Sequence, residues 1–447
     1  MAATGKNVLI VELNEFSTDL IQHAIKQYHL PHLAKIWSFP KVTYKSPDRY
    51  NSGYLEPWVQ WVSIHSGAPS KEHGIKHLGD VPDLQFKQCW EVLSEHQVST
   101  GVWGVMNGAC QSANEVPFFI PDPWTFTERA RPQELNHLLE LPRYVAKNYQ
   151  NLSKTALISK AWKLLKFIAS SGQGKTIFKE TLKLGQSLLK HGKHHYLFIS
   201  FFDYIQTLLF SEYKKKYNPK VSIIFLNSLA HLQHHYWREG PENITPQILH
   251  GLKQIDRLFG FLLTTFPEDA LVVHNGLSQM NTNHEKPWVL YRQKDPARFL
   301  KALNMPFVKV EQHMTHDGHV FFNNQDDRDA AFEALKYATI LEKPLFQVEK
   351  NTHDACKLFY QLKFTDQLTD KKTQFTYQEK HYRFFEYFDE IVTRTGRHIP
   401  LGTIFSDTIV FPDHMNNHEF NQALYHYLLP EVFPLSVSEK MPEEEFA

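Results

Sequence analysis

The chain has 447 residues, 48 basic and 48 acidic side chains, and a formal net charge of zero. That balance argues against a nucleic-acid binder, which needs a basic excess or stripe to neutralise phosphates. The three scattered cysteines, Cys89, Cys110 and Cys356, supply neither a disulfide framework nor a four-thiolate zinc site, and they fit a reducing, cytoplasmic compartment.

In chain order, the first apolar run, Val8-Leu9-Ile10-Val11, ends at Glu12 and is too short for a secretory leader. It reads as a strand over Asn7–Val11, followed by a helix over Ser17–Gln27 with Ser17 as its N-cap. Glu56-Pro57 opens another helix, because proline is tolerated at the first helical position and an acid is favoured at the positive helix end. Gln60 shares the face of Glu56, whereas His65, nine residues on, lies nearly opposite. A second strand covers Ser99–Val105. Residues 125–194 are rich in Lys and Leu with helical periodicity, and predict a helical insertion or cap between core segments 1–124 and 195–447. Within it, Ser170–Thr176 resembles the tail of a phosphate-binding loop, but Ala169 stands where that motif needs glycine and no strand precedes it. The apolar stretch Tyr196–Phe210 is interrupted by Asp203 and Gln206, too short and too polar to span a bilayer. Val221–Leu226 and Ala270–Val273 predict two further strands. The helix Thr245–Phe266 between them carries Ile248, Leu252, Ile255, Leu258 and Leu262 at helical spacing. The remainder, from about Asp326, mixes charged helices with a strand candidate at Thr403–Val410. Continuous apolar strands alternating with helices predict an α/β fold whose mostly parallel central sheet carries helices on both faces.

In such sheets ligands bind beyond the carboxyl ends of the strands. The first strand is followed by Glu12-Leu13-Asn14-Glu15, the third by Asn227 through His235, and the fourth by His274-Asn275-Gly276-Leu277-Ser278-Gln279. Each delivers polar or metal-binding groups to one edge. The chain has 26 histidines, so most are read as compositional. His316 and His319 look like a metal cluster but read more simply as a turn entering Val320-Phe321-Phe322.

These segments resemble the alkaline phosphatase superfamily, nearest its type I phosphodiesterase/nucleotide pyrophosphatase branch. That family's first strand ends in an aspartate metal ligand, where Glu12 stands. Ser66-Gly67 followed by His73-Gly74-Ile75 resembles the segment that carries the nucleophile. Asn227-Ser228-Leu229-Ala230-His231 stands where the family has Asp-x-x-x-His, and His274-Asn275-Gly276-Leu277 where it has Ser-Asp-His-Gly. Gly396-Arg397-His398-Ile399-Pro400-Leu401-Gly402 reproduces the context of its last histidine ligand. The resemblance implies a divalent metal, zinc above all, held by His231 and His398 with Asn227 as a weak third donor. A second metal would keep Glu12 with Glu56 or Asn275. Asparagine in place of aspartate at two positions removes anionic charge, so one metal is expected rather than two.

Glu56 lies beside the family's nucleophile position. It can be nucleophile, general base or ligand, with Gln60 and His65 as neighbouring catalytic candidates and His73 and His234 in reserve. The implied activity is a metal-assisted hydrolase or transferase acting on a phosphate or sulfate ester, phosphodiesterase-like. The alternative is a degenerate relative that binds a sugar or nucleotide without hydrolysis. The expected partner is a small molecule, with no nucleic acid and no membrane span.

Overall fold

The computed structural model describes residues 5–47, 55–111, 114–148, 152–192, 194–282, 285–313, 316–352 and 354–434. Its centre is a seven-stranded sheet. In chain order its strands are β1 (Val8–Leu13), β2 (Lys41–Lys45), β3 (Thr100–Val105), β4 (Phe119–Pro121), β5 (Val221–Leu226), β6 (Ala270–His274) and a last strand, Leu401–Ser406. In space, β1 lies between β5 and β6, with β3 and β4 beyond β5. Those five strands run parallel; Leu401–Ser406 pairs antiparallel with β6 on one side and β2 on the other.

The sheet is parallel because its central strands are apolar on both faces. Along β1, Leu9, Val11 and Leu13 enter one core with the helices Thr18–Gln27, His195–Tyr217 and Pro246–Thr265. Val8 and Ile10 enter the other, against the helices Pro57–Ser66, Cys89–Glu95 and Phe420–Leu428. Each such side chain, once buried, contributes roughly 1.5–3 kcal/mol of transfer free energy. The predicted helix starts are present. Ser17 accepts from the Leu20 amide, Thr245 accepts from the Ile248 amide, and Pro57 is the first residue of its helix, which ends at Gly67 in the left-handed region (φ 70°).

Between β4 and the helix His195–Tyr217, the chain forms the helices Asn136–Asn148, Lys154–Ser170 and Gly174–His191. The phosphate-loop-like residues make the turn between the second and third of these, preceded by a helix rather than a strand.

The C-terminal third differs from the expectation of charged helices. After Gln325–Lys336 it is mostly short antiparallel strands. Lys309–Gln312, Asp317–Phe321, Phe346–Lys350 and Lys357–Leu362 form a four-stranded sheet. It shares a third apolar cluster with Phe299, Phe375 and Phe388. These strands are only four to six residues long, too short for periodicity to separate them from helix. The final strand of the central sheet runs over Leu401–Ser406 rather than Thr403–Val410.

Candidate functional site

The carboxyl rim of the parallel strands is where the polar segments meet. β1 continues past Leu13 into a turn at Asn14 and Glu15, with amide bonds from Asn14 to the Leu226 carbonyl and from Glu15 to the Asn275 carbonyl. Glu15 has φ 57°, an uncommon conformation for a residue with a side chain. It is held there by those bonds and by Gln233, whose side-chain amide donates to the Glu15 carbonyl at 2.8 Å. The turn aims the Glu15 carboxylate along the rim.

Two histidines meet it. His234 lies on the helix Ser228–Tyr236, which follows β5. His398 lies on a two-stranded ribbon, Ser278–Asn281 with Gly396–Ile399, which follows β6 and places His398 opposite Gln279. Both imidazole Nε2 atoms are 3.0 Å from Glu15 Oε2 and 3.2 Å from each other. The Gln279 amide also donates to Glu15 Oε2. A Cβ on Gly396 would stand 2.5 Å from Gln279 Oε1 and 3.0 Å from the Gln233 carbonyl, so the ribbon reaches the helix only with glycine there.

The protonation pattern follows from the outer contacts. His234 Nδ1 is bonded to the Gly396 carbonyl and His398 Nδ1 to the Leu55 carbonyl, so each Nδ1 carries hydrogen. The neutral rings therefore both turn bare Nε2 lone pairs toward a carboxylate. Three acceptors within 4.8 Å of one another require a cation, either an added proton or a metal ion. Without a metal, burial works against ionisation of Glu15, but His398 and His234 hold its carboxyl well below the ordinary carboxylate range. Burial also works against His398, yet Glu15 raises it above the ordinary histidine value, while burial wins at His234 and lowers it. The donor set, two imidazoles anchored through Nδ1 and one carboxylate, fits a divalent metal of zinc's preferences.

Glu56 adjoins this centre. It precedes the first residue of the helix Pro57–Ser66 and makes no side-chain cap bond. Burial pushes its carboxyl up to about 7, against the pull of His398 and Arg394. Asp317 and Glu15 push the same way as burial.

Not every residue expected at the site reaches it. Glu12 points from β1 into the core beneath the rim, 2.7 Å from His65 Nε2 and 4.0 Å from His274 Nε2. Glu12, His65 and His274 are each at most 2% exposed, and Trp61 stacks beside His65. Glu12 Oε2, His65 Nδ1 and both nitrogens of His274 have no hydrogen-bond partner among the described residues. Gln60 is fully buried and accepts from Asn417 at 2.7 Å. Asn275 fastens main chain, donating to the Phe16 carbonyl and accepting from the Thr403 amide, both at 2.8 Å. These contacts are stitches of the core.

Asn227 and His231 lie next to the centre but do not share a ligand position with His398. They contact each other at 3.3 Å, and Asn227 accepts from Asn14 at 2.8 Å. His73, held in reserve, contacts Ser63 Oγ at 2.9 Å. Asn14 is the hub that the sequence reading missed. Its amide donates to Asn227 Oδ1 and Glu15 Oε1, and its carbonyl accepts from Trp61 Nε1 at 2.8 Å. Glu15 was missed as well. The signal that could have found it is the alternation of β1: Val8, Ile10 and Glu12 share a face and the next residues form the rim.

No protein-family model matches the chain, and no curated protein matches it. Solved structures similar to it in overall shape include three phosphoester- or phosphonate-acting proteins. An inactive variant of murine ectonucleotide pyrophosphatase/phosphodiesterase 5, in complex with AMP, aligns over 98% of this chain and 97% of its own at 9% identity and a TM-score of 0.43. Phosphonoacetate hydrolase from Sinorhizobium meliloti, in complex with phosphonoacetate, aligns over 96% and 99% at 12% identity and 0.45. A variant of the alkaline phosphatase PafA aligns over 95% and 96% at 9% identity and 0.46.

Proposed function

We propose that this protein is a metal-assisted hydrolase of phosphate or sulfate esters, phosphodiesterase-like, with one metal rather than two at the reacting centre. The observation that carries the reading is the meeting of Glu15 Oε2 with the bare Nε2 atoms of His234 and His398, beside a carboxyl raised to about 7. A divalent ion held there supplies a Lewis acid for an ester oxygen. Glu56 supplies proton transfer: near neutrality it is part ionised, and as a base it takes a proton from the attacking water. Arg394, whose charge is felt at Glu56, His234 and His398, favours an anionic substrate. The neutral pair Asn14 and Asn227 occupies the flank where a second dication would need carboxylates, which supports a single metal.

The test is turnover of bis-p-nitrophenyl phosphate by protein dialysed against chelator and then reloaded with Zn²⁺ or Mn²⁺. Activity is expected to vanish on chelation and return on reloading. His398→Ala is expected to weaken metal binding by at least about a hundredfold, since it removes a ligand and not merely an outer contact. Turnover that ignores both chelator and His398→Ala refutes the proposal. Absent turnover with nucleotide or sugar binding that is indifferent to chelator points instead to the degenerate binding protein.

A further inference from the structure

We propose that His77, Asp80 and His319 form a second divalent-metal site, suited to Zn²⁺, that ties the turn after the helix Ser70–His73 to the strand Asp317–Phe321. The three residues are at most 7% exposed, and one ligand atom from each lies within 4.8 Å of the others. The argument rests on a buried ring nitrogen without a partner. His313 bridges Asp317 and His319, with Nδ1 3.0 Å from Asp317 Oδ2 and Nε2 2.9 Å from His319 Nδ1, so His319 Nδ1 is engaged. His319 Nε2 has no hydrogen-bond partner among the described residues. It faces Asp80 Oδ1 at 3.8 Å. That separation is too long for a hydrogen bond, and the gap suits a metal. Ligands about 2.1 Å from a tetrahedral ion stand roughly 3.4 Å apart.

The rest of the geometry agrees. Asp317, His313 and His319 reproduce the carboxylate–imidazole support that orients metal-binding histidines. His77 stacks on Phe359 with ring centroids 3.4 Å apart, which fixes its plane. His77 and Asp80 also line a cavity with Lys76, Asp83 and Glu349, a route for the ion and room for a water as fourth ligand. One group competes. Lys357 Nζ is 3.1 Å from Asp80 Oδ1.

The experiment is equilibrium dialysis of the whole protein against Zn²⁺, followed by metal counting by mass spectrometry. His319→Gln and Asp80→Asn are each expected to hold one ion fewer per chain than the wild type. Lys357→Met, which removes the competitor, is expected to keep the ion and bind it severalfold more tightly. An unchanged count in a variant whose circular dichroism is native overturns the proposal. If one variant fails to fold, the other decides. The count is a difference from the wild type, so it holds whether or not the Glu15 centre takes its own metal.

A separate observation carries a second inference. On the helix Lys154–Ser170, Ile158, Trp162 and Leu165 make one stripe, and on Gly174–His191 Phe178, Leu182 and Leu189 make another; each of the six is at least 54% exposed. The span of these two helices holds eight lysines and a single acid, Glu180, in a chain of zero net charge. Lys160 and Lys163 turn away from the stripe toward Glu140 of the neighbouring helix. Among the described residues no helix is long and apolar enough to cross a membrane. We infer that this helical pair lies on an anionic lipid surface, apolar stripes inserted and lysines at the headgroups.

Co-sedimentation with vesicles of equal parts phosphatidylglycerol and phosphatidylcholine tests it. Binding is expected to fall about tenfold or more in roughly 0.5 M salt, with pure phosphatidylcholine, and in the surface variant Trp162→Ser/Phe178→Ser. No binding to the anionic vesicles overturns the inference, as does binding that the variant leaves intact. So does a wild-type dimer that this variant dissociates, since the stripes would then be covered by a second copy.

Discussion

Replacing Glu56 with Gln is expected to lower ester turnover by ~10²–10⁴-fold, the usual contribution of a positioned proton-transfer group. The accompanying signature is in the pH profile. In the wild type, kcat/KM should fall on the acid side with a midpoint near the raised value of about 7, as the carboxyl takes up its proton. The variant should show no such limb. Stability should move the other way. The folded protein holds the Glu56 proton more tightly than the unfolded chain, whose carboxyl titrates near the ordinary 4.5. That contribution is complete below the unfolded value and is lost as pH rises through the folded one. In chelator at about pH 8, Glu56→Gln is therefore expected to be more stable than the wild type, by up to about 3 kcal/mol, with the difference closing at about pH 4. Denaturant melts at the two pH values measure it. A variant that is equally active, or equally stable at both, removes Glu56 from the mechanism.

Glu12→Ala is expected to cost about 1–3 kcal/mol of stability, because it leaves the buried His65 Nε2 without its hydrogen-bond partner at 2.7 Å. The same variant is expected to retain every metal ion the wild type binds. The sequence motif makes the opposite prediction, since it puts Glu12 among the ligands. Metal counting beside a urea melt separates the two. Lost metal with unchanged stability would return Glu12 to the site. The physical contrast lies in the surroundings. Burial and the nearby His65 push His274 down to about 3, so the second ring beside Glu12 stays neutral.

Much of the fold could be read from the chain. Val221–Leu226 appears as expected, and β1, β3 and β6 differ from the expected spans by one or two residues at an end. Ser17, Thr245 and Pro57 signal helix starts through local hydrogen bonding and local sterics, which need no distant partner. The short antiparallel strands from Lys309 to Leu362 were not legible, because their identity comes from the strands they pair with.

The candidate site divides along the same line. The sequence by itself put Glu56 at a helix start, from proline and charge at fixed spacing, and singled out His398 through the resemblance of its glycine and proline surroundings, while the ribbon that carries His398 came from the structure. Only the tertiary structure decided between His231 and His234. They are three residues apart on one helix, and the rotation of that helix is set by Leu229 and Leu232 burying fully in the core. That rotation gives His234 to the centre and leaves His231 against Asn227. In the same way a left-handed turn at Glu15, held by its amide's bond to the Asn275 carbonyl and by the bond Gln233 donates, moves the acid of the site three residues beyond Glu12. Composition and spacing specify which groups reach an edge. Which of them face one another depends on how each element is turned about its own axis, and packing against the rest of the chain fixes that.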